Sequence, residues 1–418
     1  MSDQPLLNLS LRATRSEIGA LDAPQIVYLL LSIQAPEAHQ FERMPLNLCL
    51  VIDRSTSMRN ERMDRVKAAA GLVIDQLTND DSIALVTFSD RAEVIAPAGP
   101  PKNMAALRTA IRGITPNGGT EIYQGLLAGA KEMRKLASDR KINQMILLTD
   151  GHTYGDANNC IELAEKLVKE NIGLSAFGIG NEWNDQFLDQ LVAPSGGQSA
   201  YIERPGEILR HLQSRIQGLE AHYAQNVSLV LHFSAGVELR NAFKLSPFAQ
   251  PLVIQPTQLK LGAVERHAPL TALLEFVIQP QLPGRKVQIP LALKASIPSQ
   301  VLSEHEFKLV HELAVTLEEP ALDPPLDLVA AVQAYNLYNI NEKVWDDVES
   351  GHVDSAIVRL RRLTTRLLES GQTELAEQAY AETELLSRMG SLSLEGRKRL
   401  KYGTRSLMTR TAKLVNHG

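Results

Sequence analysis

Short apolar runs alternate with amphipathic stretches of helical period between residues 46 and 217. The run MILL at 145–148 has no polar side chain at alternate positions, so both faces of this strand are predicted to be buried. Helices packed on both faces of a parallel sheet produce this pattern. The sequence therefore predicts an α/β domain with a doubly wound parallel sheet. Ligands of such sheets bind at the carboxyl ends of the strands.

The predicted strands and helices follow one another regularly along this region. Strands are expected at 47–53, 81–89, 144–151, 173–180 and 199–203. Helices are expected at 63–77, 103–114, 121–137, 160–172, 184–193 and 205–219. Each strand is thus followed by at least one helix, as the crossover connections of a parallel sheet require.

The sequence on the carboxyl side has a different pattern. Residues 226–318 contain alternating apolar runs separated by Pro and Gly turns, with almost no helical period. This pattern is typical of an antiparallel β-sandwich. Residues 5–13 and 25–34 have the same pattern, and two strands alone do not form a stable domain. We therefore expect them to pair with the later strands, so that the α/β domain is inserted into the sandwich.

The last hundred residues are predicted to be helical. Gly351, Gly371 and Gly390 stand where helix C-caps are expected, and the short connections favour an antiparallel helical bundle. The predicted division of the chain has four parts. These are N-terminal strands of the sandwich at 1–45, the α/β domain at 46–219, the β-sandwich at 220–320 and a C-terminal helical domain at 321–418.

The composition is that of a soluble globular protein. Charged residues make up 22% of the chain and the net charge is -5, too mild to indicate a nucleic-acid partner for the whole molecule. The N-terminus lacks the pattern of a secretory signal, and the apolar window 26–33 is much shorter than the roughly 20 residues of a membrane span. Cys49 and Cys160 offer no disulfide framework, so a cytoplasmic location is expected.

Oxygen-bearing side chains occur where predicted strands end and in one loop. Asp53, Ser55 and Ser57 end or follow the first strand of the α/β domain at intervals of two residues. Thr120 lies in the Gly-rich loop PNGGTEI, and Asp150 lies at the end of the strand QMILLTDG. The D-x-S-x-S spacing alone is weak evidence, because Ser and Asp are ordinary loop residues. The combination of three segments at one predicted edge of the sheet indicates a common site.

Three hydroxyls and two carboxylates suit a hard divalent cation. Mg²⁺ takes about six oxygen ligands and retains several waters. If neutral hydroxyls are the direct ligands and the carboxylates act through water, the cation keeps much of its charge. It can then accept a carboxylate from another molecule. Mg²⁺ is the expected cofactor, and Mn²⁺ and Ca²⁺ are alternatives because they accept the same oxygen donors.

The same residues resemble the metal-ion-dependent adhesion site of von Willebrand factor type A domains. The motif D-x-S-x-S begins at Asp53, a threonine stands at Thr120, and T-D-G places the second acid at Asp150, so all five positions match. The likeness extends over 46–217 and includes TFSD and FGIG at the ends of two predicted strands. It implies a Rossmann-like doubly wound sheet.

The resemblance also implies roles for these residues. Ser55 and Ser57 would bind Mg²⁺ directly. Thr120 would bind it directly or through water, and Asp53 and Asp150 would act mainly through water. Domains of this family bind a protein partner through an acidic side chain that completes the metal coordination, and they are generally not catalytic. The flanking strands and C-terminal helices resemble, less specifically, large cytosolic bacterial type A proteins.

A single carboxylate–metal bond needs a surrounding interface to reach micromolar affinity. His152 is the only histidine next to the predicted metal edge, and a solvated rim position is the simplest interpretation for it. Seven residues are candidates for this rim: Arg54, Thr56, Met58, Glu121, His152, Tyr154 and Asp156.

Two other functions are compatible with the motifs. By analogy with type A proteins, the chain could be a regulatory subunit of a MoxR- or chelatase-type AAA ATPase, although the sequence has no AAA motif. A metal-dependent hydrolase would use Mg²⁺ to activate water, but no His or Lys base is indicated nearby, so no enzymatic activity is expected. The G-x-G at 178–180 lacks the third glycine of a dinucleotide fingerprint, so no nucleotide cofactor is expected.

The C-terminal stretch 395–413 carries seven basic residues against a single acid, Glu395. A solvated helix face is one interpretation of this stretch. A docking surface for an acidic partner or a nucleic acid is the other, and the scarcity of aromatic residues disfavours nucleic acid.

Overall fold

The computed structural model describes residues 5–37, 43–151, 155–298, 304–318, 320–321 and 323–415. Its strands are β1 (Asn8–Ala13), β2 (Glu17–Gly19), β3 (Gln25–Gln34), β4 (Leu46–Asp53), β5 (Ser82–Phe88), β6 (Ala92–Gly99), β7 (Ile142–Thr149), β8 (Ile172–Ile179), β9 (Ser199–Ile202), β10 (His222–Val230), β11 (Val237–Ser246), β12 (Gln250–Pro251), β13 (Gln258–Glu265), β14 (Leu270–Ile278), β15 (Lys286–Ser296) and β16 (Glu304–Thr316). Its α-helices are α1 (Glu61–Gln76), α2 (Met104–Arg112), α3 (Ile122–Arg134), α4 (Ala157–Lys169), α5 (Asp185–Val192), α6 (Ile208–Glu220), α7 (Leu326–Glu349), α8 (Val353–Glu369), α9 (Thr373–Met389) and α10 (Leu394–Val415).

A six-stranded sheet with the order β6-β5-β4-β7-β8-β9 forms the centre of the α/β domain. The strands β5, β4, β7, β8 and β9 run parallel, as predicted, and β6 pairs antiparallel with β5 at the edge. The sheet is therefore mixed at this edge and not all-parallel, and β6 was not predicted from the sequence. Most residues of β6 are exposed or half-buried, and it contains Pro97, which an edge strand tolerates because not every N–H joins a ladder.

Helices cover both faces of this sheet, which confirms the doubly wound fold. Successive residues of β4 point to opposite faces. Leu48 and Leu50 share an apolar core with α1 and α6. Cys49 and Val51 share a second core with α3 and α4. The carboxyl ends of the parallel strands therefore meet at a single edge, where the predicted ligands lie.

Two five-stranded sheets form the β-sandwich, with the orders β1-β3-β14-β11-β12 and β13-β10-β15-β16-β2. Strand β3 precedes the α/β domain in the chain and pairs with β14, which follows it, with Leu30 opposite Leu273. The predicted insertion is therefore confirmed. Strands β2, β11, β12 and β13 were not predicted from the sequence. In β11 and β13, polar or glycine residues such as Asn241 and Gly262 interrupt the apolar alternation.

The C-terminal helices α7 to α10 form the predicted helical domain. This domain packs on the outer face of one sandwich sheet, where Leu30 and Leu273 join its apolar core. The rings of Phe243 in β11 and Tyr338 in α7 meet edge to face, with their centroids 4.9 Å apart. Gly390 ends α9 with a left-handed φ of 68°, in agreement with its predicted C-cap role.

Two basic residues of α10 face the α/β domain. Lys401 and Arg405 are buried, and both form ion pairs with Asp189 of α5. Lys401 Nζ also lies 2.5 Å from a carboxylate oxygen of Asp185. For these residues both predictions, a solvated face and a docking surface for another molecule, are wrong. Their acidic partners belong to the same chain.

Cys49 and Cys160 are buried free thiols. In the described part of the chain, every helix is too short or too polar to cross a lipid bilayer.

Candidate metal centre

Strands β4 and β7 are hydrogen-bonded neighbours in parallel register, so their carboxyl ends lie side by side. Strand β4 ends at Asp53 and β7 ends at Thr149. The loops that follow therefore enter the same edge of the sheet. They carry Ser55, Ser57 and Asp150, three of the five predicted ligands.

Asp53 is fully buried at the base of this edge. Its Oδ1 accepts a hydrogen bond from the backbone N–H of Ser55 at 2.8 Å, and its Oδ2 accepts one from the hydroxyl of Thr149 at 2.6 Å. Burial, with a smaller contribution from the nearby Asp150, raises the pKa of the Asp53 carboxyl to about 6 against the lowering effect of these hydrogen bonds. The two hydrogen bonds hold the carboxylate in one orientation.

A chain of hydrogen bonds links the two loops. The hydroxyl oxygens of Ser55 and Ser57 are 3.0 Å apart, and the Ser57 hydroxyl donates to Asp150 Oδ1 at 2.7 Å. Ser55 and Asp150 are buried, whereas Ser57 is exposed. Three predicted ligands therefore meet through oxygen atoms, and the group opens to solvent at Ser57.

Arg62, in the first turns of α1, completes the surroundings of Asp150. Its Nη1 donates to Asp150 Oδ2 at 2.5 Å and to the backbone carbonyl of Ser57 at 3.4 Å. A Cβ on Gly180 would lie 3.0 Å from Arg62 Nη2, so this glycine gives the guanidinium its room. Arg62 was not predicted from the sequence, because it lies outside the D-x-S-x-S motif and only the folded loop brings it to Asp150.

The loop that carries Thr120 is tied to the loop after β4. The backbone N–H of Thr56 donates to the carbonyl of Gly118 at 3.0 Å, and the N–H of Asn117 donates to the carbonyl of Arg54 at 2.7 Å. Thr120 is buried against the turn after Asp150, where a Cβ added to Gly151 would lie 3.0 Å from Thr120 Oγ1. Thr120 therefore lies next to the residue that follows Asp150.

This oxygen set fits a hard divalent cation. Hydroxyls of Ser55, Ser57 and Thr120 and carboxylates of Asp53 and Asp150 come together from three chain segments, and oxygen donors of this kind suit Mg²⁺. In the described ranges, no group of three or more His, Cys, Asp or Glu side chains could hold a metal ion. Metal coordination by the five residues stays a prediction.

Four predicted rim residues surround this edge. Thr56 is exposed, and its hydroxyl donates to a backbone carbonyl of the Thr120 loop at 3.0 Å. Arg54 is half-buried, with its Nη1 donating to the Asn117 side chain at 2.7 Å. Glu121 is also half-buried. Asp156 Oδ2 accepts a backbone N–H in the first turn of α3 at 2.9 Å, so this carboxylate holds α3 to the loop before α4.

Met58 was wrongly predicted to lie on the rim. It is fully buried and belongs to the apolar core beneath α1, because the short 3₁₀ turn Thr56–Met58 directs it inward. His152 and Tyr154, the two other predicted rim residues, lie outside the described residues.

Comparison with known proteins gives this domain its family. The family model of the von Willebrand factor type A domain matches residues 47–215. This region is a von Willebrand factor type A (VWA) domain. The helices α7 to α10 correspond to a second family model, the Sll0103-like C-terminal alpha-helical domain, which matches residues 327–410.

Two relatives extend this comparison beyond the VWA domain. Protein sll0103 of Synechocystis sp. is 29% identical over 310 residues, which are 71% of this chain and 74% of that protein. Protein YfbK of Escherichia coli is 25% identical over 215 residues, which are 50% of this chain and 37% of YfbK. The chain therefore spans well under half the length of the second relative.

Two solved structures share the fold of nearly the whole chain. A von Willebrand factor type A protein from Catenulispora acidiphila superposes with a TM-score of 0.75 at 18% identity, over 96% of each chain. The ArnB paralog VWA2 from Sulfolobus acidocaldarius superposes with a TM-score of 0.58 at 16% identity, over 97% of this chain and 99% of that one. The combination of VWA domain, β-rich region and helical domain therefore exists in other proteins.

Proposed function

We propose that this chain is a divalent-metal-dependent protein-binding module. Its VWA domain would hold Mg²⁺ at a complete metal-ion-dependent adhesion site and capture a Glu or Asp side chain of a partner protein. The observation that carries this proposal is the chain of oxygen contacts from Ser55 through Ser57 to Asp150, which opens to solvent at Ser57. VWA domains mediate protein–protein interactions, which supports the choice of a protein partner.

The residues have distinct roles in this proposal. Ser55 and Ser57 are the direct ligands, and Thr120 adds a third hydroxyl from the neighbouring loop. Asp53, with each of its oxygens already accepting a hydrogen bond, contributes negative charge and orients the Ser55 backbone. When bound, Mg²⁺ supplies a positive charge with coordination positions open to an external carboxylate.

The same surroundings favour binding over catalysis. The hydroxyls of Ser55 and Ser57 hydrogen-bond to each other and the Ser57 hydroxyl also donates to Asp150, and no His or Lys base contacts these hydroxyls in the described part of the chain. Exposed Thr56 and half-buried Glu121 are suited to the interface that must surround a carboxylate–metal bond. A non-enzymatic, cytoplasmic module is part of this proposal, since two free buried thiols suit a reducing compartment.

Metal binding is tested first, by isothermal titration of the purified chain with MgCl₂. Ser57→Ala removes one proposed direct ligand at an exposed position and is expected to weaken Mg²⁺ binding by at least tenfold. Ser214→Ala, on the exposed face of α6, is the matched control and should leave the affinity unchanged. Equal Mg²⁺ affinity in both variants would contradict the proposed site.

Partner capture is tested by a pull-down from native lysate with Mg²⁺ and with EDTA, followed by mass spectrometry. The proposal predicts proteins that are retained by the wild-type chain in Mg²⁺ and lost in EDTA and with Ser57→Ala. Retention that survives both changes would contradict metal-dependent capture. Recovery of a MoxR- or chelatase-type AAA ATPase in the metal-dependent fraction would support the alternative role as a regulatory subunit of such an ATPase.

A further inference from the structure

A polar cavity lies between the VWA domain and the β-sandwich, at the end of the sheet opposite to the metal centre. Its walls include the first residues of β7 and β8, whereas the metal centre lies beyond the carboxyl ends of the parallel strands. The cavity volume is about 60 Å³. One water needs roughly 10–15 Å³ by the same measure, so there is room for about four waters or one small polyatomic ion.

Two cationic side chains line this cavity without a direct counter-ion. Arg215 of α6 and Lys244 of β11 are 8% and 1% exposed. Within the described residues, neither forms an ion pair, and the carboxylate of Glu265 on the same wall remains beyond ion-pair distance. Burial lowers the pKa of Lys244, and the charge of Arg215 lowers it further. The guanidinium of Arg215 stays charged, so the cavity holds a positive charge that an anion would compensate, and such an anion would also favour the ammonium form of Lys244.

Two backbone carbonyls and an aromatic ring hold the amino group of Lys244 in place. Its Nζ donates to the backbone carbonyls of Gly196 at 2.5 Å and Leu261 at 3.1 Å, and it lies 3.9 Å from the ring centroid of Phe248. These contacts fix the ammonium at the wall of the cavity. Because two of its N–H groups already have acceptors, Lys244 would act on a bound anion mainly through its charge.

Arg215 and His222 supply the donors that lack partners. Arg215 Nη2 donates to Gln144 Oε1 at 3.2 Å, but no residue of the described chain accepts from its Nε. His222, 7% exposed at the start of β10, has no partner at either ring nitrogen among the described residues. Burial, together with the charges of Arg215 and Lys244, lowers the pKa of His222 to about 3, so the neutral ring keeps one N–H. A buried donor without a partner is costly, because it has lost its hydrogen bonds to water.

We propose that this cavity is a binding site for a small oxyanion of phosphate size. The guanidinium of Arg215 and one ring N–H of His222 donate to its oxygens, and the charge of Lys244 attracts it. A cation would be repelled by the positive charge, and an apolar ligand would leave the donors unsatisfied. Because Arg215 belongs to the VWA domain and both His222 and Lys244 belong to the sandwich, the bound anion links the two domains.

The cavity mouth also joins the two domains. Asn171, before β8, accepts a hydrogen bond from the exposed Asn226 of β10 at 3.0 Å between Oδ1 and Nδ2. Both residues line the cavity. Polar side chains therefore border the cavity where it is closest to solvent.

The test is calorimetric titration of the full-length chain with inorganic phosphate, in EDTA and at an ionic strength held constant with NaCl. EDTA prevents phosphate from binding through a divalent metal. Saturable binding of one phosphate per chain is expected. Arg215→Met should weaken it at least tenfold, whereas Arg210→Met, which removes an exposed charge from the same helix, should not change it.

Ala263→Leu provides a second variant that leaves every charge in place. Ala263 lines the cavity at a half-buried position, so the larger side chain should fill the space and abolish phosphate binding even where Arg215→Met fails to fold. Absence of saturable binding in the wild-type chain, or equal binding in the Ala263→Leu chain, would overturn the proposal. Equal or tighter binding of acetate would overturn the assignment of a phosphate-sized ligand.

Discussion

The guanidinium of Arg62 contacts one oxygen of Asp150, and the Ser57 hydroxyl contacts the other. A fixed positive charge at this position opposes the approach of a divalent cation. We predict that Arg62→Gln strengthens Mg²⁺ binding by roughly three- to tenfold, since the partly exposed charge is screened by solvent. Calorimetric titration with MgCl₂ measures the change. The control is Arg65→Gln, the same substitution at an arginine of the same helix that pairs with Glu61 and lies away from Asp150.

Weaker Mg²⁺ binding in Arg62→Gln would show that the arginine orients Asp150 more than it repels the cation. The prediction would then be wrong, although the metal site itself would stand.

Gly151 provides a test of Thr120 that leaves every predicted ligand in place. A Cβ at Gly151 would lie 3.0 Å from Thr120 Oγ1 and 3.1 Å from its Cγ2, so Gly151→Ala should push Thr120 out of position. We expect Mg²⁺ affinity to fall by about tenfold, in the range known for groups that support metal ligands. Gly206→Ala, whose added Cβ meets no atom within 4 Å, should leave the affinity unchanged. Unchanged affinity in both variants would exclude Thr120 as a ligand.

At the scale of elements, α10 is joined to α5 by buried ion pairs. Lys401 and Arg405 share Asp189, and their side chains are only 2% and 3% exposed. Removal of Asp189 leaves the buried Arg405 without an acidic partner, whereas Lys401 keeps its ion pair with Asp185. We predict that Asp189→Ala lowers the free energy of unfolding by about 3–5 kcal/mol, as measured by urea denaturation. Glu384→Ala, which breaks an exposed pair on α9, should cost less than about 1 kcal/mol.

The same contact predicts the response to acid. Burial alone would raise the pKa of Asp189, but the charges of Arg405 and Lys401 lower it below the ordinary value. A folded pKa below the unfolded pKa of about 3.9 stabilises the chain fully above about pH 5, and this contribution is lost as the pH falls toward the folded pKa. The stability difference between wild type and Asp189→Asn should therefore shrink between pH 7 and pH 3.5. Urea midpoints at these two pH values provide the measurement, and a constant difference would contradict the prediction.

The order of elements along the VWA domain could be predicted because its central strands are apolar on both faces. Strands β4 and β7 are examples, with every residue buried. Strand β6 has its exposed and half-buried residues at the edge of the sheet and carries no such pattern. The burial of Lys401 and Arg405 could not be predicted, because their acidic partner Asp189 lies more than 200 residues earlier in the chain.

At the scale of the whole molecule, the β-sandwich contacts the VWA domain at the amino ends of β7 and β8, away from the predicted metal edge. The helical domain contacts it through α10, at α5 and at the residues that follow β8 and β9, where Lys398 Nζ donates to the Asn181 carbonyl at 2.6 Å and Arg399 pairs with Glu203. The local D-x-S-x-S motif predicted the position of Asp53 and Ser55 at the carboxyl end of a strand, whereas the inward direction of Met58 depends on the 3₁₀ turn and the core beneath it.

The most direct test of the metal-binding proposal is a crystal structure of the full chain grown in MnCl₂, with anomalous data collected near the manganese edge. The account predicts one strong anomalous peak at this edge of the VWA sheet, with the hydroxyl oxygens of Ser55 and Ser57 at about 2.2 Å from the ion. Thr120 should contribute directly or through a water. An anomalous map without a peak between these residues, at a manganese concentration that saturates the protein in solution, would contradict the proposed centre.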